Sequence, residues 1–450
     1  MMTGEEAQKL ESALLIERKD YVNRILSFRD QEPVKIITGI RRCGKSSVMR
    51  LVIRRLLHDH VKPEQIIYMQ FESMSFNGMS LQELYQYVKQ RCRTGEKMYI
   101  FLDEPQLVEG WEKAVNSFRV DFDCDIYVTG SNAYLLSSEY ATLLSGRYVE
   151  IKMYPLSFRE FISFNHMAVS KRKNFLGLTE TMMIDPSGAG IDAGQVLEAY
   201  MHYGGMPGVS AVGLSQEKSM MLLDGIYSTV VVRDILERNS RENGGRKADA
   251  LLLRKIILFL ADSIGSSVSL SSISRTLISE RLVENKTKHG APAVQTVSLY
   301  VEAIKKAYLF YEIKRFDLRG KEKLKTLGKY YIVDPGLRNY LLGYRLGDTG
   351  HMLENIVYFE LLRRGFEVAV GKLGDREIDF VAEKQGKRIY FQVTQSMADP
   401  KVWKRELEPL QMLKDNYDKY VLTLYKGIDD DAEGVHIVSL IDFLLEDKVI

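Results

Sequence analysis

The 450-residue sequence is poor in the features that would tie it to one special environment. Its three cysteines, Cys43, Cys92 and Cys124, are scattered without CxxC spacing. That excludes a disulfide framework and a zinc site built on paired cysteines, and it fits a reducing cytoplasm. Charge of one sign is missing too: 62 Lys and Arg stand against 60 Asp and Glu, a formal net charge of +2. No global field therefore draws the chain to nucleic acid or to a membrane, and any basic footprint must be local. Apolar runs such as KIILFLA fall far short of the roughly 20 residues a membrane helix needs. The acidic start MMTGEEAQKLESALLIERKD does not read as a signal peptide. Internal repeats and long low-complexity tracts are absent from the sequence. What is present is ordinary globular composition, 45% hydrophobic and 27% charged, in a length that suits roughly two to four domains. The expectation is a soluble cytoplasmic protein.

Up to residue 150, short apolar β runs alternate with helical patterns. VKIIT precedes the helix KSSVMRLVIRRLL; QIIYMQFE, KMYIFLD and CDIYVTGS follow, with the helix LQELYQYVKQRC between the first two of them. Apolar runs separated by helices imply a parallel sheet covered on both faces, an α/β nucleotide domain. KRKNFLGL and DPSGAGIDAG read as connection. Residues 196–245 read as helical, broken by a turn at YGGMP, where Gly204 and Gly205 precede Pro207. Residues 246–345 carry two helices, SLSSISRTL and AVQTVSLYVEAIKKAYL, and a candidate hairpin wing, FYEIKRFDLRGKEKLKTLGKYYIVD. Residues 346–450 return to α/β, with the helix MLENIVYFELLRRG and the hairpin REIDFVAEKQGKRIYFQVTQ.

The chemistry concentrates in four places. GIRRCGKS, residues 39–46, fits G-x-x-x-x-G-K-[ST] between a β run and a helix. Glycines let backbone N–H groups turn inward around phosphates, and the helix N-terminus adds positive potential. Gly39, Gly44, Lys45, Ser46 and Ser47 are the nucleotide-contact candidates: Lys45 reaches the β- and γ-phosphates and the Ser46 hydroxyl binds Mg²⁺. MYIFLDEPQ ends an apolar run on Asp103, a second Mg²⁺ holder, and Glu104, which orients or deprotonates the attacking water. IYVTGSN offers Ser131 and Asn132 to the γ-phosphate or the lytic water, with Thr129 a lesser candidate. LLSGRYVEI offers Arg147, a guanidinium that neutralises developing phosphate charge in cis or from a neighbouring subunit. Arg41 and Arg42 are expected to face solvent or a partner, and Cys43 to be a small loop residue rather than a redox-sensitive thiol.

Taken in order, GIRRCGKSS, FLDEPQ, VTGSNAYLLSSE, LSGRYVEIKMYPLSFREF, YGGMPGV and IYSTVVVRDILER resemble the AAA-type P-loop ATPases of bacteria and archaea that carry a C-terminal domain of unknown function. The first two blocks alone say only P-loop NTPase; the SGR…PLSFREF and YGGMP blocks make the resemblance specific. It implies ATP and Mg²⁺ as ligands, Lys45 and Ser46 as Walker A residues, and Asp103 and Glu104 as Walker B residues. It makes Asn132 the sensor and Arg147 the arginine finger. It also implies an order of domains: an AAA-type ATPase core over 1–195, a helical lid over 196–245, a winged-helix-like domain over 246–345 and a restriction-endonuclease-like α/β module over 346–450.

The last two domains set the choice of partner. Residues 281–330 hold twelve Lys and Arg against five Asp and Glu, a local basic footprint for DNA phosphates, with APAVQTVSLYVEAIKK as the helix offered to the major groove. A protein partner or a second copy of the chain is the competing occupant. In the hairpin, side chains alternate faces, so Asp379 and Gln392 share one, with Glu354 from the preceding helix able to join. The restriction-endonuclease-like layout is helix Glu, strand Asp, then Glu-x-Lys, with the acids on Mg²⁺ and the lysine supporting the nucleophile. Here the positions read Glu354, Asp379, Gln392 and Thr394. Gln392 still carries a carbonyl oxygen, Thr394 carries no positive charge, and Lys401 or Lys404 lie just downstream. The reading is an Mg²⁺-dependent ATPase with an inactive nuclease-like module. The alternatives are an ATP-gated DNA nuclease and an ATP-binding protein-interaction switch without DNA.

Overall fold

The computed structural model describes residues 1–93, 95–133, 146–173, 179–237, 249–279, 294–320, 322–323, 327–425 and 431–446. The chain forms two compact units. The first is Met1–Tyr154 with Lys306–Tyr308, and the second is Pro155–Lys305 with Leu309–Ile450.

In the first unit the apolar runs become five strands: β1 (Val34–Thr38), β2 (Ile66–Gln70), β3 (Met98–Asp103), β4 (Cys124–Gly130) and β5 (Tyr148–Lys152). All pair in parallel, in the order β2-β3-β4-β1-β5. Every residue of β1 and β3 is buried, which is why these strands read as continuous rather than alternating apolar runs. Helices Leu81–Lys89 and Trp111–Asp121 pack Leu84, Val88, Trp111, Val115 and Phe118 onto Ile67, Met69, Ile100 and Leu102 of the sheet. Ser80 and Glu83 close a capping box at the start of the first of these helices, which fixes where it begins. The strand order is what serves the chemistry. Inserting β4 between β1 and β3 puts three strand ends side by side, with Thr38 opposite Gly130 and Thr129 opposite Asp103. Ligands of open α/β sheets bind at that edge.

The first stretch of the first unit runs to Tyr154. The stretch expected to be connection is structured. Helix Phe158–Phe164 is followed by an antiparallel sheet of β6 (Ala168–Lys173), β7 (Thr179–Ile184) and β8 (Gly190–Asp192). These strands are mostly exposed, with Met183 buried, so they lack the apolar alternation that announces a strand. DPSGAG is their hairpin turn, closed by Asp185, which accepts from the amides of Ser187 and Ala189 at 2.9 Å each. Residues 174–178 of KRKNFLGL lie outside the described residues.

Helix Ala193–Tyr203 stops at the YGGMP turn and Pro207–Ala211 restarts the helical path, followed by Gln216–Thr229 and a π-helical run, Val230–Glu237. The turn is a tie point. The Gly205 amide donates to Asp334 Oδ2 at 2.6 Å, the Leu156 amide donates to the Gly205 carbonyl at 2.7 Å, and the Tyr200 hydroxyl donates to the Leu156 carbonyl at 2.7 Å. Asp334 also N-caps the helix Pro335–Leu342.

Helices Ala250–Asp262, Leu270–Ser279 and Val294–Lys306 accompany a small antiparallel sheet of β9 (Ser267–Val268), β10 (Phe310–Ile313) and β13 (Gly328–Ile332), in the order β10-β13-β9. The candidate wing does not project as one hairpin. Its outer part, β11 (Arg315–Asp317) and β12 (Glu322–Lys323), joins a larger sheet, with β11 running parallel to β14 (Glu367–Leu373). That sheet continues through β15 (Arg376–Lys384), β16 (Lys387–Ser396), β17 (Asp418–Tyr425), β19 (Val435–Ser439) and β18 (Asp431–Ala432). β14, β15 and β16 form an antiparallel meander; helix Pro400–Gln411 then leads to β17, which is parallel to β16. Leu407 and Leu410 of that helix pack on Ile378, Val381, Tyr390 and Val421. Among the described residues no helix is long and apolar enough to cross a membrane.

Candidate functional site

The loop after β1 has the backbone the sequence calls for. Gly39 sits at φ 147°, and a Cβ there would lie 2.1 Å from the Met153 carbonyl oxygen, so no other residue fits. Arg42 (φ 64°) and Gly44 (φ 101°) complete the turn, and helix Lys45–His58 starts immediately behind it. Lys45 is 5% exposed; its Nζ donates to the carbonyls of Gly39 at 2.9 Å and Ile40 at 3.1 Å and lies 3.8 Å from Glu104 Oε1. The Ser46 hydroxyl donates to Asp103 Oδ1 at 3.0 Å. Ser47 is exposed in the first turn. Arg41 is paired with Glu72 at 2.8 Å, and Arg42 is exposed. Cys43 is fully buried, and burial raises its thiol pKa, so it stays a packed thiol.

Asp103 and Glu104 divide their roles by environment. Asp103 receives Thr129 Oγ1 at 2.5 Å and the Tyr68 hydroxyl at 3.1 Å besides Ser46. Its pKa is raised: burial outweighs those hydrogen bonds, and the charge of Glu104 adds to it. Glu104 is nine-tenths buried, which alone would raise its pKa; Lys45 and Arg41, with hydrogen bonds from Gln106 and Ser131, outweigh that and lower it. Neighbouring carboxylates with pKa values pushed apart are the pattern of a site with two jobs. Glu104 stands in the left-handed region (φ 61°, ψ 49°), held there by its own amide on Thr129 Oγ1 at 3.1 Å and by the Ser131 hydroxyl on its Oε2 at 3.0 Å. Asn132, the expected sensor, is buried next along the chain, and the Ser131 hydroxyl donates to Glu104. Thr129, ranked below both, holds Asp103 and Glu104 together. Tyr68 was missed, and only the parallel pairing of β2 with β3 brings it there.

Arg147 is not brought to this edge. It immediately precedes β5, and its guanidinium donates to Asn116 Oδ1 at 3.1 Å at the N-terminal end of the sheet. Five residues of strand, roughly 16 Å, separate that end from the phosphate loop. The cis alternative is therefore excluded by the strand direction. Residues 134–145, which include the second half of VTGSNAYLLSSE, lie outside the described residues.

The hairpin of β15 and β16 forms one wall of a cleft of about 950 Å³, lined among others by Glu354, Glu377, Asp379, Gln392, Thr394 and Glu406. Gln392 is held at both ends of its amide: Oε1 accepts the Asp379 amide at 2.7 Å, and Nε2 donates to Glu406 Oε2 at 3.0 Å. Thr394 is buried, and its hydroxyl donates to the Ser396 carbonyl at 3.5 Å. Lys401 and Lys404 line the cleft. The cation among the acids is one the sequence reading had assigned to DNA: Lys329 of β13, 2.6 Å from Glu377 and 3.6 Å from Glu354. Burial works against its charge, but Glu354, Asp379 and Glu377 outweigh it and hold its pKa above the usual lysine value. Burial and the charge of Glu354 push Asp379 up to about 7, and burial also raises Glu354.

The basic footprint shrinks accordingly. Lys305 is paired with Glu302 and Glu312, Arg315 is buried, and Lys314 and Arg319 remain exposed. Arg281, Lys286, Lys288, Lys321 and Lys325, the side chain of Lys323, and the start of the proposed recognition helix lie outside the described residues.

A parallel sheet with β4 inserted between the phosphate-loop strand and the Asp-Glu strand, and with Ser46 on Asp103, defines a P-loop ATPase domain of the AAA type. A family model described as an AAA domain matches residues 31–162. A model described as a domain of unknown function, DUF8612, matches residues 194–347. An uncharacterized protein of Haemophilus influenzae is 38% identical over 437 residues, 97% of this chain and all of the relative. One of Methanocaldococcus jannaschii is 28% identical over 427 residues, 91% of this chain and 87% of the relative. Among solved structures, a Walker-type ATPase of Pyrococcus abyssi aligns at 16% identity and a TM-score of 0.43, over 72% of this chain and 95% of that one. The Orc1 protein of Aeropyrum pernix, in complex with DNA, aligns at 15% identity and a TM-score of 0.30, over 74% and 93%. The chain belongs to the prokaryotic family of AAA-type P-loop ATPases that carry a domain of unknown function behind the ATPase core.

Proposed function

We propose that the protein binds and hydrolyses ATP with Mg²⁺ and uses that cycle to switch a DNA- or protein-binding C-terminal half. The observation that carries the reading is the meeting of Lys45, Ser46, Asp103 and Glu104 at one sheet edge. The residues suit the ligand. The loop presents its backbone at a helix N-terminus, and a hydroxyl and a carboxylate 3.0 Å apart suit a hard cation that takes its other oxygens from phosphate and water. Bound Mg²⁺ would spread the charge developing on the transferred phosphoryl group. Lys45 exchanges its two carbonyl partners for phosphate oxygens. Ser46 and Asp103 would hold the metal, with Thr129 and Tyr68 keeping Asp103 in place. Glu104, kept ionised, orients a water and takes its proton, and Ser131 keeps its carboxylate aimed. Arg147 serves this site only from a second copy of the chain. Lys45→Ala is expected to reduce ATP turnover by roughly a hundredfold or more, through lost phosphate contacts. Turnover equal to wild type would mean that this loop is not the nucleotide site.

For the second half, three helices in succession with the small sheet β10-β13-β9 support a winged-helix reading. The succession of helix Thr349–Arg363, the β14–β16 meander, helix Pro400–Gln411 and parallel β17 supports a restriction-endonuclease-like one. DNA binding through this half would use the exposed Lys314 and Arg319. Replacing both by Ala should lower the slope of log affinity against log salt by about 2. A shift that is absent or insensitive to salt would favour a protein partner.

A further inference from the structure

Lys329 enters the nuclease-like cleft from a different element from the one expected to supply its lysine. It lies on β13, paired with β10 and β9, outside the β14–β16 meander. Its side chain is 5% exposed, with the ammonium 2.6 Å from Glu377 Oε1 and 3.6 Å from Glu354 Oε2. One oxygen of each group at this centre is already held by a protein donor, and the cation beside these groups is Lys329. Glu354 Oε2 takes the Tyr331 hydroxyl at 3.0 Å, Asp379 Oδ2 takes the Val393 amide at 2.9 Å, and Gln392 Oε1 takes the Asp379 amide at 2.7 Å. A hard divalent ion asks for six or more oxygens, and a second cation beside a fixed ammonium is repelled. Among the described residues no three carboxylate, imidazole or thiol groups converge as metal ligands.

We propose that Lys329 is a built-in substitute for the metal ion: its ammonium fills the cation position of the nuclease-shaped centre, leaving a cleft that can bind but cannot carry out metal-dependent cleavage. The proposal rests on the nuclease-shaped reading of this module and not on the ATPase site. A relocated catalytic lysine would leave a gap between Glu354 and Asp379 for metal and water. Lys329 instead makes its closest contact with Glu377, a carboxylate that the layout of Glu354, Asp379, Gln392 and Thr394 does not include. The strand that brings it also belongs to the helical half of this unit, so the same ion pair ties that half to the cleft.

The test is Mn²⁺ binding to the full chain without nucleotide, read by the paramagnetic resonance signal of free Mn²⁺. Wild type and D379N should bind Mn²⁺ equally, and this comparison cancels any ion held at Ser46 and Asp103. K329M should gain one Mn²⁺ per chain with at least tenfold tighter binding than wild type, and K329M/D379N should lose it. K329M/E377Q removes a freed carboxylate along with the ammonium and should show the same gain, which covers the case in which K329M does not fold. A wild-type Mn²⁺ site that D379N abolishes would overturn the proposal and make Lys329 a relocated catalytic lysine. No gain in either Lys329 variant would overturn it as well. ATP turnover, followed in parallel, reports on Lys45 and Glu104 separately, so failure here leaves that reading intact.

Discussion

Glu104→Gln is expected to lower ATP turnover by roughly 10²- to 10³-fold while ATP affinity changes by no more than about threefold. Glutamine keeps the shape and can still accept from the Ser131 hydroxyl, which now lies 3.0 Å from Oε2. It cannot take a proton, and it leaves Lys45 without the carboxylate 3.8 Å away. Binding survives because the phosphate contacts come from the loop backbone, Lys45 and Ser46, none of which the substitution removes. Phosphate release and the binding isotherm of a fluorescent ATP analogue, measured on the same sample, separate the two effects. A loss of turnover under tenfold would take Glu104 out of the chemistry. An equal loss of affinity would mean that it is there to hold Lys45.

The second large effect concerns the fold. Gly204→Ala is expected to cost at least about 3 kcal/mol, the scale of strain in a conformation reserved for glycine added to a buried clash. Gly204 sits at φ 79°, ψ −173°, and an added Cβ would lie 2.2 Å from Asp334 Oδ1 and 2.6 Å from the Gly336 amide. Asp334 cannot yield, because its carboxylate accepts from the amides of both Gly205 and Leu337. The denaturation midpoint reads this directly, and a cost under 1 kcal/mol would mean that the YGGMP turn is not the tie described. The motif that made the family resemblance specific is thus explained by packing, as a joint between two helices and the start of a third.

The two kinds of feature differ in how far the sequence reveals them. The phosphate loop and the Asp103–Glu104 pair are legible because their chemistry needs consecutive residues at the end of an apolar run. Which side chain of TGSN meets them depends on register. Thr129 lies opposite Asp103, and a shift of one residue would present a different face. The place of Arg147 is readable from the sequence: a residue just before a strand of a parallel sheet lies at the edge away from the phosphate loop. The strands β6 and β7 escaped notice because exposed strands carry no apolar alternation. Lys329 could not be placed at all from spacing. It lies in a run of basic residues, and its meeting with Glu354 and Glu377 is made by pairing between distant segments. The same long-range pairing takes β11 out of the expected wing and into the C-terminal sheet, where Arg315 is buried.

The central claim is that one Mg²⁺–ATP site is built from the loop after β1 and the end of β3. Its most direct measurement is ATP binding to wild type, Lys45→Ala and Ser46→Ala, each with Mg²⁺ and with chelator. Mg²⁺ is predicted to tighten ATP binding to wild type, to have little effect on Ser46→Ala, and to leave Lys45→Ala weak in both conditions. Three isotherms that coincide and ignore Mg²⁺ would contradict the account.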